Sequence, residues 1–402
     1  MAGLSLSLLI AVGLVTWVVL DDRPYVAPEP DGTPASAEPA LAAGTLHELE
    51  EAVSEGDPAA AEKLAAPGDD RARNLLAAVV ENAEALRVED FTLRYVDELG
   101  AVSATGEWGA AIDVTWTFAG FDTTPSRAEV RFEFSASDGR ALLASVGGGD
   151  RRSPIWLTGA LEVRRTPQTL VLVDGTAPEA DTYARRATTA VPAVLGLLPD
   201  WRPRLVVEVP ETTGQLHQAL AADPGTYANI AAVTATADGS LATEAPVHVF
   251  VNPEVFGDLR PTGAQVVMSH EAVHVATEAA TSTVPLWLLE GFADYVALRD
   301  VDLPLSTTAG QIIKRVRRAG PPARLPGPAE FDTATSHLGA TYESAWLACR
   351  VLVDAGGEDA LVRFYQRVSG GSTVGDALRA EFGLTQPELT REWQALLTDL
   401  AA

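Results

Sequence analysis

The chain of 402 residues is acidic, with a formal net charge of −26, and 47% of its residues are hydrophobic. Its length is typical of two or three domains. Nucleic-acid binding needs a basic surface that neutralises phosphates, so the charge excludes that class of partner. The single cysteine, Cys349, excludes an intramolecular disulfide and lies in an apolar segment, where we expect a buried packing residue.

The N-terminal segment, residues 2–20, is uncharged and mostly apolar. A helix of this length spans about 28 Å, close to the roughly 30 Å hydrocarbon core of a bilayer. We therefore predict a single-pass transmembrane anchor in residues 1–20, with the rest of the chain outside the cytoplasm. A cleaved signal peptide is the alternative, but the A-x-A pattern at 35–37 lies too far downstream to be its cleavage site.

Two further regions precede the main motif. Residues 21–44 are rich in Pro, Ala and acidic side chains, which predicts an extended linker. Residues 45–165 show helical periodicity and then strand-like segments, which predicts a small α+β domain. The expected helices are 46–53, 57–64 and 70–86, and the expected strands are 91–95, 110–118, 128–134 and 141–145. This order resembles the NTF2-like fold, and without a titratable cluster it predicts a spacer or protein-binding module.

Residues 166–402 begin with alternating strands and helices and continue as helices, which predicts a small mixed sheet followed by a helical subdomain. The expected strands are 169–173, 204–209, 230–237 and 247–251, and the helices between them are 180–198 and 211–221. The helices expected after the sheet are 261–280, 285–299, 306–319, 339–355, 358–369, 373–382 and 387–400. His248 alternates with valines, so we expect a strand residue there and not a metal ligand.

Two histidines four residues apart, His270 and His274, lie in the apolar segment QVVMSHEAVHVA. On a helix, residues i and i+4 share a face, so both imidazoles can bind one metal ion. Zinc accepts neutral imidazole and carboxylate ligands in tetrahedral geometry, and a catalytic site leaves one position open. Glu271 follows the first histidine directly. There a carboxylate can take a proton from the attacking water and pass it to the leaving amine.

A second helix is expected to begin at Pro285 and to carry Glu290 and Asp294. The interval from His274 to Glu290 allows one chain reversal, so this carboxylate can be the third zinc ligand. Asp294 follows one helical turn later and is placed to accept a hydrogen bond from the outer nitrogen of a zinc-binding histidine, His270. A structural zinc site would have four protein ligands and no need of a neighbouring base, so the pattern predicts a catalytic site.

The HEAVH motif at 270–274 and the LEGFADY motif at 289–295 together resemble the gluzincin metallopeptidases, in particular the peptidase MA-like group. The resemblance implies that His270, His274 and Glu290 bind one Zn²⁺ ion. Glu271 is then the general base, and Asp294 follows the thermolysin-like Glu-x-x-x-Asp arrangement. The G-x-M-E-N element of membrane aminopeptidases is absent, so the resemblance favours an endopeptidase that acts on peptides or proteins.

Related enzymes often stabilise the oxyanion with a Tyr or His from a helix after the third ligand. Tyr342 is the candidate here, and His337 is the alternative. The strand 230–237 is a candidate edge strand for holding an extended peptide by main-chain hydrogen bonds. We therefore expect a membrane-anchored, extracytoplasmic zinc metallopeptidase. The alternative is a catalytically inactive, peptidase-like binding protein of the cell envelope.

Overall fold

The computed structural model describes residues 36–332, 335 and 337–402, which form a mixed α and β structure with two sheets. The anchor predicted in residues 1–20 lies outside this part of the chain, as do residues 21–35 of the predicted linker. Among the helices that are described, none combines the length and the apolar character needed to cross a membrane.

Three helices precede the first sheet: α1 (Pro39–Glu55), α2 (Pro58–Glu62) and α3 (Asp70–Leu86). The carboxylates of Asp57 and Asp69 accept hydrogen bonds from main-chain N–H groups at the starts of α2 and α3. Such contacts satisfy N–H groups that have no partner within the helix. Gly56 ends α1 at a φ of 64°, in the left-handed region that glycine adopts without strain.

Residues 39–44 belong to α1, so the linker predicted for residues 21–44 is wrong over this part. Ala42, Leu46 and Leu49 recur at helical spacing and are at most 1% exposed. Pro39 occupies the first turn, where a missing N–H costs nothing. Burial of this apolar face stabilises the helix, and composition alone does not reveal tertiary packing of that kind.

The first sheet is an antiparallel meander of four strands, β1 (Val88–Leu99), β2 (Glu107–Phe118), β3 (Ser126–Ser137) and β4 (Arg140–Val146). All four strands expected from the sequence are present, and each extends beyond its predicted bounds. Asp138 and Gly139 connect β3 to β4 with φ values of 50° and 75°. Positive φ at both positions is the geometry that an Asp-Gly hairpin turn accommodates.

The second sheet has five strands, β5 (Glu162–Arg165), β6 (Thr169–Val173), β7 (Leu205–Val209), β8 (Ala232–Thr236) and β9 (Val247–Val251), in the order β5-β6-β7-β9-β8. The three central strands are parallel, whereas β5 and β8 run antiparallel to their neighbours. Helix α4 (Ala177–Leu195) connects β6 to β7, and α5 (Thr213–Leu220) follows β7. Strand β8 therefore forms one edge of this sheet.

Strand β5 was not expected from the sequence. Its residues, 162–165, fall inside the predicted first domain of residues 45–165, yet they pair with β6 in the second sheet. The segment reads EVRR and lacks an apolar alternation that would mark it as a strand. Pairing with the buried strand β6 decides its conformation, which is information that lies elsewhere in the chain.

Helices follow the second sheet: α6 (Pro253–Gly257), α7 (Pro261–Ala276), α8 (Leu286–Leu298), α9 (Leu305–Thr308), α10 (Gly310–Ala319), α11 (Leu338–Gly356), α12 (Glu358–Ser369), α13 (Val374–Phe382) and α14 (Gln386–Ala401). The sequence predicted these helices to within a few residues, with two exceptions. The helix expected at 306–319 is split into α9 and α10, and α6 was not expected.

The second sheet is buried on both faces. Leu170, Leu172 and Phe250 pack in the cluster that contains the first sheet, whereas Val171 and Val249 pack among the C-terminal helices. Successive side chains of a strand point to opposite faces, so the apolar runs of β6 and β9 serve both clusters. The regions predicted as separate domains therefore share this sheet as a common layer.

A buried charged cluster links the two sheets. His248 on β9 lies between Glu208 on β7 (Nδ1–Oε1, 2.6 Å) and Asp122 in the β2–β3 connection (Nε2–Oδ1, 3.0 Å). Burial disfavours a charged imidazole, but Asp122 and Glu208 outweigh it and raise the pKa of His248 to about 9. His248 is a strand residue, as predicted, and its charge holds two carboxylates that would otherwise be unpaired in the interior.

Helices α8 and α11 pack at close range where Gly291 meets Ala345. A Cβ atom at Gly291 would collide with the main-chain carbonyl of Ala345 and touch the sulfur of Cys349. Glycine therefore permits a helix contact that a larger residue would push apart. Cys349 is fully buried, as expected, and burial raises the pKa of its thiol.

Candidate metal centre

The two histidines of the central motif lie on α7, a mostly apolar helix whose residues 268–274 are buried. His270, Glu271 and His274 are 9%, 6% and 7% exposed. The imidazole rings of the two histidines are one helical turn apart, with centroids 4.5 Å apart and planes nearly perpendicular. Burial of three titratable side chains on one helix is costly unless they are paired or bind an ion.

The chain reverses after α7 through a 3₁₀ turn at Ala279–Thr281 and enters α8 beyond Pro285. The return brings Glu290 against both histidines. Its Oε2 atom lies 3.1 Å from Nε2 of His270 and 3.2 Å from Nε2 of His274. One carboxylate oxygen and two imidazole nitrogens thus converge from two helices.

Asp294 lies one turn beyond Glu290 on α8. Its Oδ1 atom is 2.8 Å from Nδ1 of His270, the histidine expected from the sequence. A neutral imidazole carries one proton, so Nδ1–H donation to Asp294 leaves the lone pair of Nε2 directed at Glu290. That lone pair and the carboxylate oxygen repel each other unless a proton or a cation lies between them.

The donor set fits a zinc ion. Two atoms bound to one tetrahedral zinc ion at about 2.0–2.1 Å lie about 3.3 Å from each other. The contacts of 3.1 and 3.2 Å match that separation, and one donor atom from each of His270, His274 and Glu290 lies within 4.8 Å of the other two. Imidazole nitrogens with one carboxylate are a ligand set that zinc prefers.

The electrostatics of these side chains are strongly coupled. Burial opposes the charged form of Glu290, but His274 and His270 outweigh it and hold the pKa of the carboxyl well below its usual range. Burial also opposes a charged His270, yet Asp294 and Glu290 raise its pKa well above that of a free imidazole. In the absence of metal, these contacts favour a protonated His270 imidazole beside the charged carboxylate of Glu290. A cation bound at the shared point of the three donors would take the place of the imidazole proton.

One atom of the centre has no protein partner. Nδ1 of His274 is buried, and within the described part of the chain it makes no hydrogen bond. Zinc-binding histidines usually donate this N–H to an acceptor that fixes the ring. His270 has such an acceptor in Asp294, so the two histidines of the centre differ in how firmly their rings are oriented.

Glu271 follows His270 on α7 and is not one of the three converging donors. Its Oε2 atom accepts a hydrogen bond from Oγ1 of Thr234, at 2.7 Å, on strand β8. A cavity of about 440 Å³ opens beside Glu271 and His270. Apart from these two residues and Asp294, its lining is uncharged: Asn229, Ile230, Ala231, Ala232, Val266, Val267, Gln311, Thr335, Leu338, Gly339 and Tyr342.

The structure separates the two candidates for oxyanion stabilisation. Tyr342 on α11 lines the cavity, its ring lies 6.1 Å from that of His270, and Phe331 packs edge-on against it. Burial, together with Glu290 and Glu271, raises the pKa of Tyr342 well above its usual value, so the hydroxyl keeps its proton. His337 is exposed at the start of α11 and is not among the lining residues.

Sequence reasoning missed Thr234. A strand was expected at residues 230–237, and in β8 (Ala232–Thr236) the side chains of Ala232, Thr234 and Thr236 share one face. Only the packing of β8 against α7 turns that face toward Glu271. A hydroxyl on the strand nearest to the histidine helix was the available signal, but the sequence does not specify which strand residue meets the carboxylate.

Comparison of the sequence with models of known protein families gives no match, and comparison with curated proteins gives none either. A function for this site is therefore inferred from its own residues.

Proposed function

We propose that this chain is a zinc-dependent metallopeptidase of the gluzincin type, and that it cleaves peptide bonds within extended substrates. The observation that carries the proposal is the convergence of His270, His274 and Glu290 on one point. A further carboxylate, Glu271, lies beside that point and faces a cavity instead of joining the donors. A structural metal site would have no use for it.

The chain's own residues supply the proton transfers. When bound, zinc supplies Lewis acidity that lowers the pKa of a water toward about 7 and polarises a carbonyl oxygen. Glu271 takes a proton from the attacking water while the oxygen of that water forms a bond to the carbonyl carbon. The hydroxyl of Tyr342 donates a hydrogen bond to the developing oxyanion. Glu271 then delivers its proton to the amide nitrogen as the carbon–nitrogen bond breaks.

The surroundings of the cavity support an extended substrate. Within the described part of the chain, strand β8 pairs only with β9, so its outer edge offers main-chain groups to a peptide. Ala232 of this strand also lines the cavity, which brings the edge next to Glu271. No Lys or Arg occurs among the described lining residues, so a terminal carboxylate has no cationic partner there. Cleavage within a chain therefore fits the cavity better than removal of a C-terminal residue.

The experiment combines metal analysis with cleavage of a proteome-derived peptide library. We expect the wild-type chain to bind one zinc ion per molecule and to cleave library peptides internally. Glu271→Gln should retain the zinc and lose cleavage, whereas Glu254→Gln, an exposed carboxylate on α6, should behave as wild type. If wild type binds zinc yet cleaves nothing that Glu271→Gln leaves intact, the inactive binding protein is the correct reading.

The proposed site of action rests on the N-terminal segment alone. The apolar residues 2–20 would tether the catalytic part of the chain to a membrane, with the cavity outside the cytoplasm. Protease accessibility of the C-terminal helices in intact cells tests this placement. A chain found wholly in the soluble cytoplasmic fraction would contradict it.

A further inference from the structure

We propose that Thr234 is a positioning residue that holds the carboxylate of Glu271 toward the cavity. The proposal rests on the function proposed above for Glu271. Thr234 lies on β8, the edge strand, and neither the two sequence motifs nor the donor cluster includes it. Its role is therefore that of a support outside the metal centre.

Two contacts join Thr234 to Glu271. Oγ1 of Thr234 lies 2.7 Å from Oε2 of Glu271 and 3.3 Å from the main-chain oxygen of the same residue. A hydroxyl has one proton to donate, and the shorter contact goes to the charged acceptor, which forms the stronger hydrogen bond. The side chain of Glu271 is thus held by a donor from a different element of the fold.

The donor itself is rigidly placed. Thr234 pairs with Val249 in the ladder between β8 and β9, which runs from Ala232↔Val251 to Thr236↔Val247. A β-branched side chain has few accessible χ1 rotamers, so the direction of the hydroxyl is restricted as well. Strand and rotamer together fix the point at which Glu271 is held.

Glu271 needs such a support because its side chain has three rotatable bonds, and its carboxylate could move to a second position nearby. His270, its neighbour on α7, belongs to the donor cluster, and a swing of Glu271 toward that cluster would make the carboxylate a ligand and not a base. Thr234 holds Oε2, and among the described residues no hydrogen bond involves Oε1. The free oxygen is the one available for the proton of the attacking water.

The same strand also offers the edge for substrate. Ala232, two residues before Thr234 and on the same face, lines the cavity. A peptide paired with the outer edge of β8 would therefore be aligned by the same strand that positions Glu271. The distance between the scissile bond and Glu271 would then be set within one element, which favours a reactive geometry.

The test uses the full chain and three substitutions. Thr234→Val and Thr234→Ala remove the donor, whereas Thr234→Ser retains it, so Ser and Ala differ by a single oxygen atom. We expect Val and Ala to lower kcat about 10- to 100-fold with KM and zinc content unchanged, and Ser to remain within about threefold of wild type. Thr236→Val is the matched control, because this hydroxyl on the same face bonds to the main-chain oxygen of Ser240.

Crystal structures of Thr234→Ala and Thr234→Ser give a readout that needs no activity. Glu271 should leave its wild-type position in the Ala variant and keep it in the Ser variant. If Glu271 stays in place in both variants, or if both cleave substrate with the same measurable kcat, the proposal is overturned. If the wild type is inactive but Glu271 still moves in the Ala variant, the positioning role stands and the proposed peptidase function fails.

Discussion

Oδ1 of Asp294 lies 2.8 Å from Nδ1 of His270, on the side of the ring that faces away from Glu290. Removal of this acceptor by Asp294→Ala would leave the ring free to rotate and its N–H unpaired. We expect the affinity for zinc to fall about 10- to 100-fold, as measured by competition with a chelator. Asp300→Ala is the control, since Asp300 is exposed and pairs with Arg299, away from the donor cluster. Equal affinity in both variants would show that Asp294 does not orient the ligand.

Substitutions of Tyr342 and of His337 should differ in their effect on kcat. Loss of an oxyanion donor commonly costs about 10²- to 10³-fold in kcat, so Tyr342→Phe should lose that much with KM little changed. His337→Ala should have almost no effect, because His337 is not among the lining residues. Tyr295→Phe is a matched control, since its hydroxyl donates to Glu358. Steady-state kinetics on a library-derived peptide provide the measurement, and full activity of Tyr342→Phe would contradict the assignment.

Removal of the His248 imidazole from its buried cluster should lower the stability of the folded chain. His248→Ala leaves Asp122 and Glu208 charged and without their partner in the interior. Breaking a buried ion pair from one side costs roughly 3–5 kcal/mol, so the free energy of unfolding in urea should fall by that order. His47→Ala is the control, because His47 is exposed and its partners, Glu50 and Glu51, lie on its own helix. A His248 variant as stable as the His47 variant would show that the cluster contributes nothing.

The same cluster gives a pH dependence. The pKa of His248 is raised from 6.5 to about 9 in the folded chain, so the proton binds more tightly there than in the unfolded chain. The stabilisation is therefore fully present below about pH 6.5 and is lost as the pH rises through about 9. The difference in unfolding free energy between wild type and His248→Ala should become smaller as the pH rises from about 6.5 to about 9. A difference that stays constant from pH 6 to 10 would contradict the assignment.

The close contact of α8 with α11 at Gly291 should be coupled to the affinity of the metal centre for zinc. Gly291→Ala would force α8 away from α11, at a cost of about 1–3 kcal/mol for an overpacked contact. Glu290 is the adjacent residue, so the affinity for zinc should fall as well. Gly263→Ala on α7 is the control, because a Cβ atom there meets no other atom within 4 Å. Thermal unfolding and chelator competition distinguish the two variants, and a Gly291→Ala chain with unchanged zinc affinity would separate packing from metal binding.

The sequence predicted the local parts of the structure and missed the non-local ones. The i, i+4 spacing of His270 and His274 is a property of any helix, so their common face could be read directly. Glu290 required only one reversal of the chain. The contact of Thr234 with Glu271 depends on which strand packs against α7, and the pairing of His248 with Asp122 spans both sheets. No local pattern encodes such contacts, which is also why β5 was missed.

The shared second sheet has a consequence for how this protein can be divided. A fragment that begins at residue 166 would expose the face of the sheet formed by Leu170, Leu172, Val206 and Phe250 to water. It would also lack Asp122, so the charge on His248 would lose one of its counterions. The part of the chain that carries the candidate metal centre is therefore not an independent folding unit. Any fusion that moves it to a new host protein must either carry the first sheet along or redesign this face as a polar exterior.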